Sequence, residues 1–491
     1  MSRSTTTSVL GLFLQPALGL TGWWTQSPDT LTPHIAYQDP GSGNILHSAC
    51  NGNGSVTFPS DGPHKFPLKV KPKPATPLAV SGWWEDDLEA PIASLFYQGP
   101  DGSIINAYFE CDPETGDYTL DPDGEYKVDG EAGAPSVHEK TGLSVVELGD
   151  SGGYRVFYHD EDGRVCLMAY DDDTDWRYLG PVSKQTVKGM SVGAVQTAGV
   201  NVSVTYPHNS DNLAVAQFRP KDKNKWRLSS LPAPFTSPAP TNQTDPDDIS
   251  LKASDTFTLP SFDEASVNLA ITSDTNSVLS IFYIGQDQNL HRLANVDDTW
   301  QVEESPGEKE WPEADEEYAR FAVISPLEQD DLWVFYYSGG SIMQLYQDEG
   351  GTWSTAKTIS TGNGTSTDSD SESDSNGGSS SNDKTSDESD NTNSETTGST
   401  SSGLTTGAKA GIGVGVSVGV LALGLAGFFF LRRGRGPPHP PEKELDQGEY
   451  AAVGSHGRAL ELSTDPGPQE LPLNQKYELL GDVRQSTSET R

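Results

Sequence analysis

Positive charge is scarce in this chain. Its 491 residues carry 32 Lys and Arg against 71 Asp and Glu, giving a formal net charge of -39 and a pI of about 4.4. Such a surface repels phosphate backbones and anionic headgroups, and no basic patch with interleaved aromatics interrupts it, which excludes nucleic-acid binding. Cysteine is scarcer still. Cys50, Cys111 and Cys166 are too few for a disulfide framework and too widely spaced for a zinc site, so no metal or cofactor is expected. Cys50 and Cys111 fall at corresponding places in two repeats, where neighbouring units are expected to hold them too far apart to bridge. Buried free thiols are the expectation. Helical periodicity is missing from the first 360 residues, and Gly-x-Ser-x-Gly, P-loop and His-Glu-x-x-His motifs are missing throughout.

What is present is repetition. "TGWWTQSPDTLTPHIAYQDPGSGNI" from Thr21 and "SGWWEDDLEAPIASLFYQGPDGSI" from Ser81 share Gly-Trp-Trp, an apolar run ending in Tyr-Gln, and a Gly turn before Ile. The Tyr-centred core recurs at Tyr37, Tyr97, Tyr158, Tyr206, Tyr283 and Tyr336, at intervals of 60, 61, 48, 77 and 53 residues. Each copy reads as short Val/Ile/Tyr/Phe strands separated by Gly, Asp and Asn, closing on a Trp-bearing strand, with a further apolar stretch upstream. Four strands per repeat at this period are a propeller signature. A single blade cannot bury its faces, so the array must close into a ring. The expected fold is therefore all-β, a six-bladed β-propeller over residues 17–360. The 77-residue interval holds a Pro-rich insertion that should be a surface loop.

The ends read differently. Arg3 followed by Val9–Leu20 fits a signal peptide, yet "PALGLTGWW" aligns with "PLAVSGWW" and makes Ala17–Trp24 a blade strand; residues 1–16 are left between a leader and an incomplete start. Residues 361–406 are dense in Ser, Thr and acids and lack aromatics, which suits a disordered stalk, either O-glycosylated or an undecorated acidic linker. A transmembrane helix is expected over 407–431. Its uncharged core, Ala410–Leu431, has 22 positions, about 33 Å as a helix and enough for a core of about 30 Å. Arg432, Arg433 and Arg435 follow, so the positive-inside bias puts the C-terminus in the cytosol and the ring outside or in a lumen, at the cell surface or a secretory-pathway membrane. Gly411, Gly415 and Gly419 form a row that could pair two helices into a homodimer. The tail, 432–491, is expected to be disordered; Tyr450 and Tyr477 head Tyr-x-x-apolar strings. Sequons stand at Asn53, Asn201, Asn242 and Asn363, with Asn242 placed in an exposed loop.

The blade strings "RVFYHDEDGRV", "SIFYIGQDQNL" and "LFYQGPDGSI", each followed by an acidic turn and Trp, resemble those of the fungal fucose-specific lectin family over about residues 17–360. The resemblance implies six blades with sugar held between neighbours. It also implies a pocket built from an Arg three residues before the second-strand Tyr, a Glu two residues after the third-strand Ile/Leu, and aromatics of the next blade. The Arg position here holds His34, Ser94, Arg155, Ser203, Ser280 and Trp333. The Glu position holds His47, Asn106, Leu167, Val215, Arg292 and Gln344. No blade carries both residues. Candidate sugar contacts are Arg155, Trp24, Trp84, His47, Asn106 and Gln344, through charged hydrogen bonds and aromatic faces. Arg155 is also expected to pair with a nearby Asp, and at least one Trp of each GWW pair to pack between blades.

The partners expected are glycans or, if the ring has lost sugar binding, a cell-surface protein for which it serves as interaction or spacer module. Catalysis is not expected. "DEGGTW" at Asp348 has the core of a sialidase Asp-box turn with Tyr346 where Ser or Thr belongs, and such boxes are structural. A glycosidase acid pair cannot be picked out among so many carboxylates.

Overall fold

Four antiparallel strands per repeat, six times over, is the architecture found. The computed structural model describes residues 19–361 except 150–151, 221–224, 237–238 and 254–256. The leader, stalk, membrane span and tail expected from sequence lie outside the described residues. Among the described residues, no helix is long and apolar enough to cross a membrane.

Six four-stranded sheets each take their strands from one contiguous stretch of chain. The inner strands are Leu20–Gln26, Leu78–Glu85, Leu143–Glu147, Gly193–Ala198, Ala270–Ser273 and Phe321–Ile324, which number blades 1 to 6. Each inner strand packs beside that of the next blade, and the sixth packs back on the first, so the ring is closed. Leu20–Gln26 is thus a blade strand, as the duplication requires. Among the described residues, no strand from one end of the ring completes a sheet at the other. Closure between blades 6 and 1 rests instead on an apolar cluster containing Leu20, Ile35 and Tyr37 with Ala322, Ile324 and Phe335.

The repeated tyrosines explain why the repeat exists. Tyr97, Tyr158, Tyr206, Tyr283 and Tyr336 are among the largest fully buried side chains, and Tyr37 is 8% exposed. A buried phenol favours a partner for its hydroxyl, and three of the six have one in the preceding linker, whereas among the described residues Tyr158 Oη is buried without one. Tyr97 donates to the Val70 carbonyl at 2.7 Å, Tyr283 to Pro260 at 2.9 Å and Tyr336 to Pro312 at 2.6 Å. Each acceptor lies in the connection from the preceding blade, so in blades 2, 5 and 6 the tyrosine ties a blade to its linker while filling its core.

The two Gly-Trp-Trp stretches divide their tryptophans. Trp23 is buried, 3% exposed, and stacks on His34 with ring centroids 5.3 Å apart. A Cβ at Gly82 would stand 2.4 Å from Trp23 Cδ1, and one at Gly22 would stand 2.8 Å from the Ile324 side chain. The glycine is therefore the point of closest approach between inner strands. Trp176 and Trp226 are also packed: Trp176 lies parallel to Tyr154, and Trp226 sits edge-on to Phe157 of blade 3.

The cysteine expectation is corrected. Cys50 and Cys111 form a disulfide with Cα atoms 5.8 Å apart, inside the usual range. The third strand of blade 1 ends at His47, and the chain then makes an excursion that leans onto blade 2. There Cys50 N donates to the Gly116 carbonyl at 2.9 Å and Asn51 Nδ2 to the Pro113 carbonyl at 3.0 Å. Equivalent sequence positions are brought together because only one of them lies in a strand. Cys166 is free and buried.

Candidate functional site

Strand register decides whether the two positions singled out in each blade can act together. Phe96 stands opposite Asn106 and Phe282 opposite Arg292. Ser94 and Ser280, two residues earlier, therefore share a face with Asn106 and Arg292. The contacts bear this out: Asn106 Nδ2 donates to Ser94 Oγ at 2.7 Å, and Arg292 Nε donates to Ser280 Oγ at 3.1 Å.

In most blades the pair faces protein rather than solvent. His34 and His47 of blade 1 have no exposed surface, and neither does Asn106 of blade 2. His34 Nε2 meets Thr25 Oγ1 at 3.0 Å, and His47 Nδ1 donates to the Ser48 carbonyl at 2.8 Å. Burial pulls their imidazoles down, to about 4 for His34 and about 3 for His47. In blade 4 Ser203 and Val215 are both buried. In blade 6 Trp333 is buried against Tyr346, and Gln344 is half-buried opposite Phe335.

Arg155 is engaged by carbonyls of its own blade. Its Nη1 donates to the carbonyls of Gly152 at 2.9 Å and Tyr154 at 2.8 Å, holding the turn between the first two strands of blade 3. Of the nearby carboxylates, Asp171 acts on Arg155 through its charge while bonding Arg177 at 2.8 Å. Leu167, across the blade, is buried in a cluster with Val146, Phe157 and Val182.

Blade 5 differs. Arg292 reaches Ser280, then Gln347 Oε1 of blade 6 at 3.3 Å, and pairs with Glu303 at 3.2 Å over the face of Phe282. Burial draws the guanidinium below its ordinary value, and the charges of Glu303 and Asp274 oppose that. Arg292, Ser280, Gln347, Ser273 and Asp331 border a small groove between blades 5 and 6, of about 30 Å³, roughly the share of one water molecule. Arg292 stands at the Glu position of its blade and is not among the candidate sugar contacts read from sequence. The signal was an Arg and a Ser exchanged between the two positions.

A second, larger cavity of about 200 Å³ runs along the ring axis, lined by residues of all six inner strands. Trp23, Trp24 and Trp83 border it, and the Trp83 indole packs against Tyr108 of its own blade and Tyr154 of blade 3. Trp84 is half-buried. Among the sequons, Asn53 is exposed and Asn201 half-buried at the start of a strand. Asn242 lies on a loop whose neighbours Gln243 and Asp245 are exposed, but its own side chain is half-buried: Nδ2 reaches the Pro181 carbonyl at 3.5 Å and Oδ1 is buried. Asn363 lies outside the described residues. No group of three or more His, Cys, Asp or Glu among the described residues could hold a metal ion.

No protein-family model matches the sequence, and no curated protein does either. Solved structures do. A variant of Aleuria aurantia lectin in complex with alpha-methyl-L-fucoside is 13% identical with a TM-score of 0.48, covering 71% of this chain and 97% of that one. The chain is similar to fungal fucose lectins. AofleA from Arthrobotrys oligospora is 12% identical with a TM-score of 0.48, over 70% of this chain and 87% of that one. A streptogramin B lyase also matches, at 12% identity and a TM-score of 0.34, over 70% and 85%. At these identities the likeness concerns fold.

Proposed function

We propose that the chain is a single-pass membrane protein displaying a carbohydrate-binding propeller with one working inter-blade site, between blades 5 and 6. The observation that carries this reading is Arg292. It lies at one of the two ligand positions implied by the sequence resemblance, touches the other, Ser280, and meets a neighbouring blade at a groove open to solvent. A guanidinium with serine and glutamine beside it can donate to and accept from vicinal hydroxyls. The groove as it stands is narrow, so a sugar would engage its rim. Membrane display is supported by the uncharged run Ala410–Leu431 with arginines only behind it. The Cys50–Cys111 bridge supports a ring held in an oxidising compartment.

A glycan array that includes fucosides, probed with the full-length chain in mild detergent, tests the site. Selective binding lost in Arg292→Ala and kept in Arg155→Ala is expected; binding indifferent to Arg292→Ala rejects it. Protease protection in microsomes tests the topology, and digestion of the ring from the cytosolic side rejects it. The sealed pairs of blades 1, 2 and 4 favour a second reading, a propeller that binds a cell-surface protein. A blank array together with a captured protein partner is its expected signature.

A further inference from the structure

The groove between blades 5 and 6 carries more negative charge than Arg292 can balance. Asp274, Asp330 and Asp331 line it beside that single guanidinium, which is already paired with Glu303. Among the described residues, no Lys, Arg or His pairs with any of the three aspartates. Their hydrogen-bond donors are uncharged. Asp274 Oδ1 accepts from the backbone N–H groups of Asn276 at 2.9 Å and Val278 at 2.7 Å. Thr275, in the same turn of blade 5, donates to Asp330 of blade 6 from N at 2.8 Å and from Oγ1 at 2.9 Å. The Tyr346 hydroxyl donates to Asp331 Oδ1. Neutral donors fix where these carboxylates stand and leave their charge uncancelled.

A second observation points to a ligand at the same place. Ser273, the last residue of the inner strand of blade 5, borders the groove and is 6% exposed, and its hydroxyl is buried without a hydrogen-bond partner. A buried hydroxyl left unpaired costs stability that a ligand can restore. The groove holds about 30 Å³, the share of one water molecule, so it admits a group of that size and no hexose ring. A primary ammonium is such a group: compact, cationic, with three donors and no acceptor. A cleft lined by one sign of charge concentrates the opposite sign and repels its own, so a sugar carboxylate is disfavoured where an ammonium is drawn in.

Taking the carbohydrate reading of this groove as its basis, we propose that the sugar bound there is an amino sugar with a free primary amine. Its ammonium enters the groove among Asp274, Asp331 and Ser273, while neighbouring ring hydroxyls meet Arg292 and Gln347 at the rim. Asp330, both of whose oxygens are held by Thr275, contributes through its charge. A molecule that offers vicinal hydroxyls and one ammonium answers both halves of the wall. A neutral sugar leaves the aspartates without a counter-charge, and an acidic sugar finds the one guanidinium already paired.

Methyl glucosaminide titrated calorimetrically into the full-length chain in mild detergent provides the test. Methyl glucoside and methyl N-acetylglucosaminide serve as neutral matches, and methyl glucuronide as the acidic one. The amine is expected to bind about tenfold more tightly than either neutral sugar, the gain of a charge-assisted over a neutral hydrogen bond. The glucuronide should not bind. Asp274→Asn and Asp331→Asn keep an acceptor for the backbone and for Tyr346, and each should lower the ratio of amine to neutral affinity severalfold. Asp162→Asn removes an exposed carboxylate of blade 3 and should leave that ratio unchanged, which separates the groove from the overall negative charge. Arg292→Ala should weaken every sugar, and circular dichroism reports that each variant is folded. Neutral sugars bound as well as the amine, or a glucuronide bound more tightly, overturn the proposal while the carbohydrate reading stands. A ratio untouched by both groove substitutions, or lowered as much by Asp162→Asn, overturns it too. Amine binding that is indifferent to Arg292→Ala, or no binding of any sugar, overturns both.

Discussion

Acidification from pH 7 to pH 5 should lower the ring's stability, through histidines buried without charge. His34, His47 and His159 have no exposed surface. Burial holds their imidazoles at about 4, 3 and 3 respectively, against about 6.5 in an unfolded chain. With the folded value the lower, the unfolded state binds more protons, and stability falls as pH falls through the window from about 6.5 to 4. At pH 5 each imidazole favours unfolding by about 2 kcal/mol, so the three together contribute about 6 kcal/mol against a typical domain stability of about 5–15 kcal/mol. His208, also lowered by burial, acts in the same direction. Two effects oppose this: protonating surface carboxylates relieves repulsion in a chain of net charge -39, and burial raises the Asp129 carboxyl so that its protonation favours the folded state. Asp39, held low by the Ser42 hydroxyl, and Asp101, held low by Lys127, lose their contribution only below the ordinary carboxylate range, outside this window. Urea midpoints followed by circular dichroism from pH 7.5 to 4.5, at fixed salt, measure the balance. Each of His34→Gln, His47→Gln and His159→Gln should reduce the slope of stability against pH by about 1.4 kcal/mol per unit. Equal stability at pH 7 and 5, or slopes untouched by all three substitutions, would refute the reasoning.

Three further outcomes follow from the packing. Cys50→Ala with Cys111→Ala should cost about 4 kcal/mol on a chain-entropy estimate for a separation of 61 residues, read from urea midpoints, and oxidised wild type should run ahead of reduced protein on a gel. Gly82→Ala places a methyl 2.4 Å from Trp23 and 2.8 Å from the Ile92 carbonyl; an overpacking loss of about 1–3 kcal/mol is expected, together with a shift in tryptophan fluorescence. Leu167→Glu, which would restore the carboxylate implied by the lectin resemblance, buries that group among Val146, Phe157 and Val182. It should lower the thermal midpoint without creating fucoside binding, as differential scanning and calorimetry would show.

The number of blades and their strand pattern are legible in the sequence. Burying one Tyr in the second strand of every sheet is a local requirement, repeated six times, and Tyr37, Tyr97, Tyr158, Tyr206, Tyr283 and Tyr336 carry it. Gly22 and Gly82 are legible as turn-free glycines inside strand patterns, though the reason for them, Ile324 and Trp23 pressing from adjacent blades, is not. Everything that depends on how one blade leans on the next was decided by tertiary structure. Cys50 meets Cys111 because the chain after His47 leaves its own sheet for that of blade 2. Arg155 is drawn to carbonyls of its own turn, while Asp171, close to it in the same blade, is taken by Arg177. His47 and Asn106 read as surface polar residues on a strand, yet the neighbouring blade closes over them. Arg292 becomes the candidate ligand contact through Gln347, a residue 55 positions away on another blade. Periodicity records which side of a strand faces inward; it holds no record of which neighbouring sheet covers that side, and in a propeller that covering decides which polar residues remain free to bind.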